Sequence, residues 1–64
     1  MLQVTKDQFY ATVGPLNATS AITNDKWPYT SDFTIHRELV GRVIGRLEGP
    51  FEVKDYYLAD ARAK

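Results

Sequence analysis

The spacing of hydrophobic and polar positions changes character twice along this chain. In the run VTKDQFYATVGP, Phe9 and Val13 stand one helical turn apart on one face. Thr5 supplies an N-cap, Gln8 three residues on completes a capping box, and Gly14-Pro15 stops the turn, so the pattern predicts a helix over about residues 5–13. A helix this short does not hold in isolation and must lie on something. The next stretch, LNATSAITNDK, is small and polar apart from Leu16 and Ile22 and carries neither a helical nor a clear two-residue period. Residues 14–26 therefore read as a loop, with a short extended piece at most around Ser20 to Thr23.

From Trp27 the period becomes two. Trp27, Tyr29, Ser31, Phe33 and Ile35 alternate with Pro28, Thr30, Asp32, Thr34 and His36, as a half-buried strand requires. GRVIGRLEG and GPFEVKDYYLA supply two more runs, which gives strands over about 28–38, 42–48 and 51–58. A three-residue turn Leu39-Val40-Gly41 would pair Glu38 with Arg42 and set Phe33 opposite Leu47. A turn Glu48-Gly49-Pro50 would pair Leu47 with Phe51 and Gly45 with Val53, setting Arg46 across from Glu52 and Arg42 across from Tyr56. In this register Asp55 points inward, so a bulge or an edge is expected there. Gly45 on the covered face would let Phe9 come close to the backbone. The tail ADARAK is expected to fray. The predicted architecture is a single small α+β domain over 1–64, a short N-terminal helix packed on a three-stranded antiparallel β-meander, with the strand of Gly41 and Gly45 in the middle.

Composition narrows what such a domain can do. A chain of 64 residues has room for one domain, and a domain of that size takes only about 60% of its unfolded surface out of water. With no cysteine, neither a disulfide framework nor a thiolate metal site can reinforce it. Eight basic and eight acidic residues cancel, which removes the long-range attraction that most binders of nucleic acid or anionic membranes use. No apolar run approaches a membrane span, and the N-terminus does not resemble a signal peptide, so the expectation is a soluble, cytoplasmic protein without membrane contact. Asn17-Ala18-Thr19 matches a glycosylation acceptor, read here as chance.

The stretch HRELVGRVIGR gathers three arginines, the single histidine and two glycines. Val43-Ile44-Gly45-Arg46 superficially resembles the start of a KH-domain signature, but that RNA clamp sits between two helices and this segment has a strand period. On the uncovered sheet face, Arg42, Arg46, Lys54, His36 and Tyr56 would together offer cations and a stacking surface for nucleic acid. Asp32, Glu38 and Glu52 share that face in the same register, so a solvated mixed-charge surface is the favoured reading. His36 with Asp32 and Thr34 is a weak metal set, and nothing places Ser20 or Ser31 within reach of it as a nucleophile. The chain has no phosphate loop, no dinucleotide fingerprint and no zinc spacing. No cofactor, no metal and no enzyme activity are expected.

Surface chemistry remains. Leu39 and Val40 at a hairpin tip, Ile44 amid the polar face, and Trp27, Tyr29, Tyr56, Tyr57 and Leu58 near the sheet edges exceed what one short helix can cover, and aromatics of this kind favour interfaces. The expected role is a small non-enzymatic protein-interaction or accessory/inhibitory protein, of the kind phages and mobile elements carry. It would dock on a protein partner or form a homodimer through a sheet edge. A nucleic-acid-binding module using Arg42, Arg46, Lys54 and His36 is the alternative.

Overall fold

The computed structural model describes residues 1–59; the tail from Asp60 onward lies outside the described residues. The class is α+β as expected, but the sheet has five antiparallel strands rather than three. In chain order these are β1 (Leu2–Val4), helix α1 (Lys6–Val13), a 3₁₀ turn (Gly14–Leu16), β2 (Thr19–Asn24), β3 (Tyr29–Ile35), β4 (Glu38–Glu48) and β5 (Phe51–Leu58). The spatial order is β1-β5-β4-β3-β2, which puts the eleven-residue β4 at the centre. Among the described residues no helix is long and apolar enough to cross a membrane.

The helix starts where its residues say it should. Thr5 Oγ1 accepts the Gln8 backbone N–H at 3.1 Å, and Gln8 Oε1 accepts the Thr5 N–H at 3.0 Å, so the capping box is complete. α1 ends at Val13, and the chain leaves the following 3₁₀ turn through Asn17 at φ 54°, a left-handed position that asparagine tolerates. The segment expected to be a loop over 14–26 is thus mostly regular, with β2 longer than the extended piece anticipated. Every residue of β2 is exposed, so no buried face wrote a two-residue period into its sequence.

Both hairpins turn on two residues instead of three. His36 (φ 50°) and Arg37 (φ 69°) form the β3–β4 turn, and Ile35 pairs with Glu38. Leu39 and Val40 therefore lie within β4 and not at a tip. Thr34 pairs with Leu39 and Phe33 with Gly41, which leaves Val40 as the extra residue of a bulge. Beyond it Asp32 faces Arg42, Ser31 faces Val43 and Tyr29 faces Gly45, so the expected pairings of Glu38 with Arg42 and Phe33 with Leu47 are replaced. Gly49 (φ 61°) and Pro50 make the other turn, with glycine in the first central position where a two-residue loop of the II′ kind needs it.

That one-residue difference reverses the facing of all of β5. Arg46 pairs with Val53, Gly45 with Lys54, Ile44 with Asp55, Val43 with Tyr56 and Arg42 with Tyr57. No bulge is needed at Asp55, because it points to the side that carries the arginines. Phe33 and Val43 share the helix side, as the alternation demanded, and Arg42, Ile44 and Arg46 share the other.

The core is small and sits at one end of the helix side. Phe9 is fully buried and Val13 nearly so. The Phe9 ring meets Phe33 at 5.2 Å between centroids, Tyr56 at 5.5 Å and Tyr10 at 5.1 Å, in the edge and tilted arrangements that aromatic quadrupoles favour. The glycine beneath Phe9 is Gly41, not Gly45 as the sequence register had it: a Cβ there would lie 2.6 Å from Phe9 Cε1. β1 closes this end by pairing Leu2 with Leu58 and Val4 with Tyr56.

Candidate functional site

An eight-residue helix is about 12 Å long, whereas an eleven-residue strand runs about 37 Å. α1 therefore covers the Gly41 end of the sheet and leaves the Gly45 end open. An open cleft of about 470 Å³ occupies this part of the helix side. Tyr10 of α1 and Phe33 of β3 form its inner wall, and Val43 and Gly45 of β4 its floor. Glu52 and Lys54 of β5 stand on one flank, Ser20 of β2 on the other, and Trp27 and Tyr29 close the outer end.

The loop after β2 puts Trp27 in place. Asn24 Nδ2 donates to the Pro28 carbonyl at 2.7 Å and Asn24 Oδ1 accepts the Lys26 N–H at 3.4 Å, which folds residues 25–28 back on the strand end. The Trp27 ring then stands 5.9 Å from Tyr29 and above Gly45, where an added Cβ would meet Trp27 Cζ3 and Tyr29 Cβ at 3.6 Å each. Gly45 is buried between the Trp27 ring, Tyr29 Cβ and Glu52 Oε2, the last at 3.5 Å from an added Cβ, while Trp27 itself stays 49% exposed. In the cleft's wall Tyr10 is also about half exposed (46%), and register puts the half-exposed Ile22 (54%) and Leu47 (53%) on the same side of the sheet. Together they leave apolar surface on a side that the helix covers only in part.

The charged side chains divide between the two sides. On the side away from α1, Arg42 donates through Nε to Asp32 Oδ1 at 2.6 Å and through Nη2 to Asp32 Oδ2 at 3.2 Å. Arg46 donates through Nε to Asp55 Oδ2 at 2.8 Å and through Nη1 to Glu48. The hydrogen bond to Asp32 raises the Arg42 pKa from its ordinary value, and those to Asp55 and then Glu48 raise that of Arg46. Each guanidinium is a fixed cation with its carboxylate already in place. The partners differ from the expected ones because the β5 register moved: Arg46 lost Glu52 and gained Asp55. Lys54, Tyr56 and Glu52 are on the opposite, helix side, and His36 is exposed in the β3–β4 turn. The basic group Arg42, Arg46, Lys54 and His36 is therefore not assembled on one surface.

The expected interaction residues are also separated. Trp27 and Tyr29 stand together at the cleft. Tyr56 belongs to the core beneath Phe9 and Tyr10, and Tyr57 faces away from the helix opposite Arg42. Leu39, opposite Thr34, is half-buried. Leu47, Ile22 and Tyr10 were not singled out as surface residues, because their exposure depends on how little of the sheet α1 reaches, and no local pattern records that.

No family model matches the chain, and neither the curated proteins nor the solved structures contain a match to it.

Proposed function

We propose that this protein is a small, non-enzymatic interaction module whose open sheet half, with its aromatic cleft, is the surface covered by another protein. The observation that carries this reading is the distribution of large apolar side chains. Among the described residues the large apolar side chains that are buried are Phe9 and Val13, whereas Tyr10 and Trp27 line the cleft at about half exposure and register puts the half-exposed Ile22 and Leu47 on the same side of the sheet. Scattered exposed apolar residues are ordinary; a contiguous group framed by polar side chains marks an interaction site. The aromatic anchors are of the residue types that dominate binding energy, and the serines, Glu52 and Lys54 supply a polar rim.

Retention of protein on the immobilised chain tests this, with Leu47→Asp as the comparison. The expected result is a bound protein, either another copy or a different chain, that is lost on Leu47→Asp. A monomeric protein that retains nothing beyond what Leu47→Asp retains would refute the reading.

A further inference from the structure

Given that reading of the open half, we infer that its occupant is a second copy of this chain, packed face to face about a two-fold axis over the cleft. Three observations point to self-complementarity. The first is charge. Glu52 and Lys54 are two residues apart on β5, project to the same side and flank the cleft, and neither is ion-paired among the described residues. In an isologous interface the contact of residue i with j is repeated as j with i. A dyad over the cleft sets Glu52 against Lys54 of the second copy and Lys54 against its Glu52, two pairs from one strand. By contrast, Arg42 and Arg46 on the far side are already ion-paired within the chain, to Asp32 and to Asp55 and Glu48.

The second observation is area. Half-exposed Trp27, Tyr10, Leu47 and Ile22 each keep roughly 100 Å² accessible, so this side of the sheet presents about 400 Å² from these four residues. In an interface that is about 60% apolar this corresponds to roughly 650 Å² per partner, within the range of stable complexes. The third is long-range charge: a formally neutral chain meets no net repulsion from its own copy. The helix contributes shape as well. Tyr10, packed on Phe9 and Tyr56 and 46% exposed, stands as a wall beside the cleft against which the other copy can rest.

Paired charge variants test this arrangement. Glu52→Lys puts two lysines on each copy and Lys54→Glu puts two glutamates, so each variant repels itself across the dyad, while a one-to-one mixture restores both pairs. Sedimentation at low salt is expected to show a wild-type dimer, at least tenfold weaker dimerisation of each variant alone, and recovery in the mixture, all with unchanged far-UV circular dichroism. Wild-type protein that stays monomeric at millimolar concentration, variants that dimerise as tightly as wild type, or a mixture no tighter than its components would each overturn the inference. A monomeric wild type that still retains a different protein in a Leu47-dependent way would remove the dimer and leave the docking reading standing.

Discussion

Phe9 rests its ring edge on the backbone of Gly41, so closely that a Cβ at that glycine would lie 2.6 Å from Cε1 and 3.1 Å from Cζ. This contact is what seats α1 on the sheet, since Phe9 is the helix residue with no exposed surface. Its ring cannot retreat, being held by Phe33 and Tyr56. Gly41→Ala is expected to cost about 1–3 kcal/mol, as overpacking of a filled core does. Gly45→Ala adds a methyl at ordinary contact distance from Trp27 and Tyr29 and is expected to be much milder. Urea denaturation of the two variants distinguishes them; equal stabilities would mean that Phe9 is not seated on Gly41.

Thr5 ties β1 to α1. Thr5→Ala removes the side-chain acceptor for the Gln8 N–H and is expected to lower stability by about 1 kcal/mol. Thr5→Asp, which keeps an acceptor, is expected to restore most of the loss in a thermal melt. An unchanged melting temperature for Thr5→Ala would show that the cap contributes nothing.

Much of this architecture could be read before any coordinates, for reasons that differ from element to element. The capping box is local chemistry, complete within four residues. The inward alternation of β4 survives because Val43 and Phe33 must both avoid water, whatever the turns do. The turns are less legible: His36 and Arg37 both adopt positive φ without being the asparagine or glycine that usually announces it, so the sequence points to the glycine at 41 as the turn residue instead. The turn takes two residues, Gly49-Pro50, where three are expected, and that single step of register carries Lys54 and Tyr56 to the helix side and Asp55 to the arginines. β1 has three residues and finds its partner at the far end of the chain, so no window of sequence contains both halves of that pairing. The cleft was hidden for the same reason, because it is made by four strands, a helix and a loop and by the reach of α1.

Asp32 and Arg42 form a two-point ion pair across β3 and β4, with the Asp32 side chain 18% exposed. Asp32→Asn keeps the shape and removes the charge, and is expected to cost about 1 kcal/mol at low salt. Raising the ionic strength should narrow the difference from wild type. A variant as stable as wild type at low salt would show that the pair is neutral in balance.

Leu39 and Leu47, both in β4, should respond to the same substitution in opposite ways. Leu39→Asp places a charge on a half-buried position opposite Thr34 and is expected to lower stability by about 1–2 kcal/mol. Leu47→Asp changes a side chain that is 53% exposed and is expected to leave stability within about 0.5 kcal/mol while abolishing association. Denaturation and sedimentation on the two variants separate folding from docking.

Trp27 is the single tryptophan and stands at the mouth of the cleft, so its fluorescence reports directly on whether another molecule covers that surface. Acrylamide quenching of the wild-type protein, followed from low micromolar to millimolar concentration, is expected to fall as copies cover the ring, and to stay high throughout for Leu47→Asp. Quenching that is equally efficient at every concentration in both proteins would contradict a face-to-face dimer over the cleft.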